Sequence, residues 1–134
     1  MKKVLVPVDG SERSARSLEK VRQEYAPSDV PVTLLTVIDT PIHYKYEEQY
    51  QRDLNKDREQ LERYREMLPG YQVSTSVVSG KPGPAIVRYA EQNGIQCLVM
   101  TRSQYGSTEY HGSVSAYIAK KAPFLELTIL QEEG

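Results

Sequence analysis

A polar loop between a buried strand and a new helix carries the residues of this chain best suited to chemistry. The run Cys97–Met100 is continuously apolar, as in a strand covered on both faces, and Gly112-Ser113 begins a helix after the loop. The first turn of a helix presents unpaired N–H groups and a partial positive charge. A strand, a loop and a helix start in this order predict an anion-binding site, and phosphate is its typical occupant.

Histidine, serine and aspartate side chains offer two other kinds of site, a metal centre and a catalytic triad. His43 and His111 are isolated in the sequence, without the further ligands that a metal ion requires. Because His111 directly precedes Gly112, contact with a bound anion is its remaining functional interpretation. Ser113, His111 and Asp9 supply the residue types of a triad, but neighbouring loop residues rarely reach the required geometry, and the sequence has no nucleophile elbow.

Glycine motifs of other nucleotide-binding folds are also missing. Gly80-Lys81 is followed by Pro82 and has no upstream glycine at the spacing of a P-loop. The first apolar run lacks the glycine fingerprint of a dinucleotide-binding dehydrogenase. Without a positioned acid, base or metal ion, the sequence does not predict an enzyme.

Length and composition limit the class of protein further. The 134 residues predict a single domain over 1–134, long enough to bury a core. A formal net charge of −1, with no basic run, argues against nucleic acid as a partner. No apolar run approaches the length of a membrane span. The single cysteine, Cys97, excludes an internal disulfide and is interpreted as a small core residue, which fits a cytoplasmic location.

The pattern of apolar residues predicts five strands that alternate with four helices. The first helix, for example, places Ala15, Leu18 and Val21 at spacings of three and four residues. We predict strands at 4–8, 32–38, 73–78, 97–100 and 124–130, and helices at 12–25, within 42–68, from the turn at 79–84 to 94, and at 113–121. Such alternation indicates an α/β fold, a mainly parallel sheet with helices on both faces.

The same segments resemble the universal stress protein family in its small single-domain form. The match runs in order along nearly the whole chain, through Val4–Glu12, Leu34–Asp39, Gly80–Pro82 with Ala85-Ile86, Leu98–Met100, Gly112–Ile118 and Ala122-Pro123. The resemblance implies one open five-stranded sheet of order 3-2-1-4-5, which is adenine nucleotide alpha hydrolase-like and Rossmann-like. It also implies homodimers that pair through the last strand, 124–130. Alternation of Leu125, Leu127 and Ile129 with polar residues supports an edge position for that strand.

The resemblance places a ligand where the first and fourth strands end side by side. The residues that match the family's nucleotide site are Pro7, Val8, Asp9, Val37, Met100, Thr101, Arg102, Gly112, Ser113, Val114 and Ser115. In this role Asp9 accepts hydrogen bonds from ribose hydroxyls, Val37 packs against adenine, and Ser113 and Ser115 donate to phosphate. The simpler alternatives are that Asp9 only stabilises its turn, that Val37 is plain core and that Ser113 only caps a helix.

The phosphate loop departs from the family's form, which is Gly-x-x-Gly, nine residues, then Gly-Ser or Gly-Thr. Only Gly112-Ser113 remains, because Thr101 follows Met100 where the first glycine belongs, and the loop is shorter by about two residues in our gap placement. Arg102 is the only cation of the loop, and Glu109 adds a charge that repels phosphate.

Two functions follow from this degenerate loop. The first is a dimeric cytoplasmic regulatory module that binds ATP weakly or not at all and acts through an unidentified protein partner. The alternative is an adenine-nucleotide-binding stress-response protein that takes AMP, or ATP with magnesium, and hydrolyses ATP slowly at most.

Overall fold

Strands and helices alternate along the chain, as the apolar pattern predicts. The computed structural model describes residues 2–38, 47–102 and 114–131. Its strands are β1 Val4–Pro7, β2 Pro31–Ile38, β3 Gln72–Ser79, β4 Cys97–Thr101 and β5 Glu126–Leu130. Its helices are α1 Glu12–Glu24, α2 Glu47–Glu66, α3 Pro82–Gln92 and α4 Val114–Lys121.

The strands form one sheet in the order β3-β2-β1-β4-β5, and every neighbouring pair is parallel. This confirms the fold that the resemblance implies. β3 and β5 lie at the two edges, and β1 lies at the centre. The chain crosses from one side of the sheet to the other between β3 and β4, so the winding direction reverses at the β1–β4 boundary.

Alternate residues of the central strands face two separate hydrophobic clusters. Val4, Val6 and Val8 pack with residues of α1 and α2, whereas Leu5 and Leu98 pack with residues of α3 and α4. Both sets are fully buried. Burying each such side chain contributes about 1.5–3 kcal/mol, which explains why these strands read as continuous apolar runs rather than as alternating ones.

Several element ends differ from the predicted ones for local reasons. β1 ends at Pro7 rather than Val8, and α1 ends at Glu24 because Tyr25 adopts an extended conformation as its C-cap. β5 begins at Glu126 rather than Phe124, since the Glu126 N–H donates to the Gln96 carbonyl at the start of the β4 ladder. The predicted start of the last helix at residue 113 lies outside the described residues.

Further differences concern β4 and α2. β4 continues one residue beyond the prediction, to Thr101, which pairs with Leu130. α2 ends at Glu66 rather than at residue 68, because the N–H groups of Met67 and Leu68 bond to carbonyls three residues back and tighten the chain into a turn. The first part of the segment in which α2 was predicted, 42–46, lies outside the described residues.

Helices α3 and α4 approach each other closely at a glycine. A Cβ atom added to Gly83 would lie 2.7 Å from Cδ1 of Tyr117 on α4. Real Cβ atoms do not approach a ring carbon this closely, so only glycine fits there without moving a helix. This contact therefore limits how α4 can be placed against α3.

Candidate functional site

The two central strands share a hydrogen-bonded ladder only near their amino ends. Within the described chain, β1 pairs with β4 through Val4 with Cys97 and Leu5 with Leu98. Towards their carboxyl ends β1 remains paired with β2, through Pro7 and Leu35, and β4 remains paired with β5 through its last residue. In open α/β sheets the ligand crevice lies outside the carboxyl ends of the strands at such a reversal, and we use the word crevice for this position at the ends of β1 and β4.

Pro7 explains why the β1–β4 ladder stops. The Lys3 carbonyl accepts a hydrogen bond from the Cys97 N–H, whereas the Val8 N–H donates to Leu35 of β2 at 2.8 Å. The backbone N–H and C=O groups of odd-numbered residues of β1 thus point towards β4, and those of even-numbered residues point towards β2. Pro7 falls on the β4 side and has no N–H to donate, so regular pairing ends there.

The predicted site residues of the strand ends lie around this crevice. Val8 and Thr101 are buried, Asp9 is half-buried and Arg102 is exposed. The Val8 carbonyl accepts a hydrogen bond from the Thr36 hydroxyl at 3.4 Å, which ties β2 to the same edge. The structure therefore brings Pro7, Val8, Asp9, Thr101 and Arg102 to one end of the sheet.

Val37 and Met100 have core contacts of their own. Val37 is half-buried near the carboxyl end of β2, pairs with Val78 and packs against the α3–α4 cluster. Met100 is fully buried in the same cluster. Both positions agree with the simpler interpretation as core, and Val37 also keeps partial exposure near the carboxyl end of β2.

The Asp9 carboxylate organises the turn between β1 and α1. Its Oδ1 accepts hydrogen bonds from the Ser11 N–H at 3.0 Å, from the Ser11 hydroxyl and from the Ser14 hydroxyl at 3.0 Å. The Ser14 oxygen in turn accepts the Asp9 N–H at 2.9 Å. Asp9 thus stabilises its turn, as the simpler interpretation states. Ser11 is the N-cap residue of α1 but does not cap the helix through its side chain, because its hydroxyl donates to Asp9.

Helix α2 holds the same turn from the other side. The Tyr64 hydroxyl donates to the Ser11 carbonyl at 3.3 Å, and Nε2 of Gln60 lies 3.5 Å from the Gly10 carbonyl. Gly10 has a φ of +85°, and a Cβ atom there would lie 2.8 Å from Oε1 of Gln60. Burial raises the pKa of Tyr64, so the phenol keeps the proton that it donates.

Sequence reasoning missed Ser14, Gln60 and Tyr64. A serine on the apolar face of α1 was the available signal for Ser14, because a fully buried hydroxyl needs a partner. Tyr64 lies on the apolar stripe of α2, and a buried tyrosine usually finds an acceptor for its hydroxyl. Neither signal names the partner, which for Tyr64 lies 53 residues earlier in the chain.

The starts of the described helices differ in the room that they leave for an anion. At α1 the Asp9 carboxylate already occupies the first free N–H group. α2 begins with Glu47-Glu48, whose charges repel an anion. In α3, Pro82 and Pro84 have no N–H, so the first turn offers few donors.

Helix α4 has none of these obstacles in its described part. Its first turn contains no acidic residue, and Val114 and Ser115 are 0% and 3% exposed. Val114 and Met100 belong to the same buried cluster, so the helix start is held against β4. Gly112 and Ser113 themselves lie outside the described residues, as do both histidines. Within Val114–Lys121, neither an acidic residue nor a proline stands in the first turn of α4.

Two arginines lie near the carboxyl end of β5. The Arg102 N–H donates to the Leu130 carbonyl at 2.9 Å, and its Nη1 lies 3.3 Å from Oε1 of Gln131. Nη2 of Arg16, from α1, donates to the Gln131 carbonyl at 2.8 Å. Both guanidinium groups thus meet at the carboxyl end of β5, next to the end of β4.

Metal and thiol chemistry find no support in the described residues. No group of three or more metal-ligating side chains occurs in ranges 2–38, 47–102 and 114–131. Cys97 is 1% exposed, and burial raises the pKa of its thiol, which confirms its interpretation as a core residue. None of the helices in these ranges is long and apolar enough to cross a membrane.

Comparison with known proteins places this architecture in a family. The model of the universal stress protein family matches residues 1–124. The solved structure of hypothetical protein MJ0577, whose biochemical function was assigned from that structure, is 26% identical with a TM-score of 0.81, and the match covers 99% of this chain and 97% of that one.

Two further solved structures contain bound nucleotides. A universal stress protein in complex with cAMP is 22% identical with a TM-score of 0.72, over 97% of this chain and 96% of that one. An Arabidopsis thaliana family protein with AMP bound is 19% identical with a TM-score of 0.67, over 100% and 93% of the two chains. A search of curated proteins gives no match. The fold and the matched family model together show that this chain belongs to the universal stress protein family.

Proposed function

We propose that this protein is a single-domain stress-response module that binds an adenine nucleotide in the crevice between β1 and β4. The observation that carries the proposal is that the recorded β1–β4 pairing ends with Leu5 and Leu98, beside the point where the winding of the sheet reverses. The sequence adds an anion site at Gly112-Ser113 before α4, whereas the Ser11 N–H at the start of α1 is bonded to Asp9, α2 begins with acidic residues and α3 begins with prolines.

Each part of an adenine nucleotide has a matching group at the crevice. Asp9 accepts hydrogen bonds from the ribose hydroxyls, and the partly exposed side chain of Val37 packs against the adenine ring. The backbone N–H groups of 112–115, with the hydroxyls of Ser113 and Ser115, receive the phosphate. Solved relatives with cAMP and AMP support this assignment, because both ligands combine adenine and ribose with one phosphate.

The loop composition favours one phosphate over three. Thr101 stands where a glycine would let the backbone approach a longer phosphate chain, and Glu109 adds negative charge to the loop. Arg102 offers one cation, and its guanidinium group already bonds to Gln131. We therefore propose AMP as the preferred ligand and weak binding of ATP, with magnesium accompanying ATP only.

Calorimetry with AMP, ADP and ATP, each with and without magnesium, tests this function. We expect AMP to bind and ATP to bind at least about tenfold more weakly, which corresponds to about 1.4 kcal/mol. Mass spectrometry of the purified protein under native conditions checks for carried-over nucleotide. No heat with any of the three ligands, and no carried-over nucleotide, would leave a regulatory module that acts through a protein partner. Tight ATP binding would instead contradict the role given to the loop.

Catalysis is not part of the proposal. The described crevice residues include one carboxylate, Asp9, which is bonded to Ser11 and Ser14. A carboxylate committed to these donors is poorly placed to act as a general base towards water. ATP hydrolysis, if measured, should stay slow.

We also propose a homodimer that forms through the last strand, 124–130. β5 is an edge strand, and its side chains from Leu127 to Leu130 are only half-buried. Phe124 is 48% exposed beside it and lines an apolar cleft of about 410 Å³ with Ala90 and Ile95. An edge of this kind can pair with a second copy through backbone hydrogen bonds.

The direction of the backbone groups in β5 gives a sharp test of the dimer. The Glu126 N–H points to β4, so the N–H groups of Leu127 and Ile129 point to the free edge. Light scattering should give about twice the 15.2 kDa chain mass for the wild type, and Ile129→Pro should shift the protein towards monomer. Ile129→Ala is the matched control, since it also removes the side chain but keeps the N–H. A monomeric wild type at micromolar concentration would contradict the proposal.

A further inference from the structure

We infer that Tyr64 of α2 is a positioning residue for nucleotide binding, because it fixes the turn that carries Asp9. The inference rests on the proposed function and adds to it a residue that touches no ligand. Its basis is a hydrogen-bonded chain from α2 through Ser11 to the Asp9 carboxylate.

Tyr64 reaches this turn as a well-buried hydrogen-bond donor. The residue is 8% exposed, and its hydroxyl lies 3.3 Å from the Ser11 carbonyl. The ring packs in the cluster that contains Val8 and Leu18, so the hydroxyl is held in place by contacts on the rest of the side chain. Because burial disfavours the phenolate, the donor proton is retained across the ordinary pH range.

Ser11 connects the two ends of the chain of bonds. Its N–H and hydroxyl donate to Oδ1 of Asp9, while its carbonyl accepts from both the Tyr64 hydroxyl and the Ser14 N–H. A shift of the Ser11 peptide group would therefore move the donors that orient the Asp9 carboxylate. Catalytic and binding carboxylates work only when such neighbours hold them in place.

Helix α2 supports the turn at a second point. Gln60, one helical turn before Tyr64, contacts Gly10, and at a φ of +85° this glycine is the residue type that the turn requires. The two contacts lie on the same face of α2. The position of α2 over the β1–α1 turn is thus defined by two side chains, of which Tyr64 makes the shorter hydrogen bond.

Tyr71 provides a closely matched control. Its hydroxyl also donates to a backbone carbonyl, that of Tyr25, and its ring packs against the same cluster. Tyr25 follows the end of α1 and Tyr71 precedes β3. This bond therefore lies at the amino ends of the strands, whereas the crevice lies at their carboxyl ends. Tyr64→Phe and Tyr71→Phe each remove one hydroxyl and keep the ring, which makes their effects on folding comparable.

The experiment compares both variants with the wild type by calorimetry with AMP and by thermal unfolding. We expect Tyr64→Phe to weaken AMP binding about fivefold and Tyr71→Phe to leave it within about twofold, although both lower the melting temperature by similar amounts. The effect of Tyr64→Phe should shrink in an Asp9→Asn background, because the residue that it positions is altered. Equal AMP affinity of the two tyrosine variants would overturn the inference.

Hydrogen exchange of the ligand-free protein separates this inference from the proposed function. Tyr64→Phe should speed amide exchange at 9–14, where the turn begins α1, and Tyr71→Phe should not. Unchanged exchange in Tyr64→Phe would refute the positioning role whatever AMP does. If exchange rises as expected but the wild type binds no AMP, the proposed function fails, and Tyr64 is left with a purely structural part in the turn.

Discussion

Asp9→Ala should lower both the free energy of unfolding and the affinity for AMP. The substitution leaves the Ser11 N–H and the Ser11 and Ser14 hydroxyls without their shared carboxylate acceptor. Hydrogen bonds to a charged group contribute about 1.5–3 kcal/mol each, but they share one atom here, so we expect a combined loss of about 2–4 kcal/mol. AMP affinity should fall at least about tenfold, since the ribose hydroxyls lose their acceptor and the turn loses its shape. Urea unfolding and calorimetry measure the two effects.

Asp9→Asn separates the two roles of this side chain. The amide keeps an oxygen that can accept from Ser11 and Ser14 but removes the negative charge. We expect it to recover much of the stability lost in Asp9→Ala. If Asp9→Ala is destabilised as expected but binds AMP as well as the wild type, Asp9 serves only its turn and the ribose contact is wrong.

Gly83→Val should be the most damaging substitution among those between α3 and α4. In an exposed helix, replacing glycine with alanine stabilises by about 1 kcal/mol, because alanine has less backbone freedom to lose. At Gly83 a Cβ atom would lie 2.7 Å from the Tyr117 ring, and such overpacking typically costs about 1–3 kcal/mol. The steric cost exceeds the gain in propensity, so Gly83→Ala should destabilise and Gly83→Val should cost about 3 kcal/mol by urea unfolding.

A second substitution at Tyr117 tests the cause. In a Tyr117→Ala background the ring is gone, and Gly83→Ala should then stabilise by the amount that helix propensity predicts. The contact between Gly83 and Tyr117 also affects the proposed nucleotide site. Gly83→Val should displace α4 and so weaken AMP binding as well as lower stability. A Gly83→Val protein as stable as the wild type would show that the helices do not approach as closely as described.

The strands and helices could be predicted from the sequence because burial produces a regular spacing of apolar residues. The continuous apolar runs of β1 and β4 reflect helices on both faces, and Leu18 and Val21 reflect the buried face of α1, whereas Ala15 is only half-buried. The spacing of apolar residues in one sequence does not show which strands are neighbours. It came from the resemblance to the family, and the parallel pairings confirm it.

Most details of the site could not be predicted, since they depend on contacts between residues far apart in the sequence. That Asp9 is bound by Ser11 and Ser14 is local and follows a familiar turn pattern. That Tyr64 holds the same turn, and that Gly83 admits Tyr117, depends on how helices pack across the sheet. The end of β4 at Thr101 likewise depends on its partner Leu130 and not on its own side chain.

The pairing of β1 with two very different parts of the chain has a consequence for synthesis. On one side β1 meets β2, the next strand to be made, and on the other it meets β4, where Cys97 follows Val4 by more than ninety residues. Contacts of such long range form slowly and late, and a chain growing from the ribosome must expose one edge of β1 until β4 arrives. The crevice therefore exists only in a nearly finished molecule. A nucleotide that binds there would stabilise completed chains alone, and we expect it to slow their unfolding without speeding the early steps of folding.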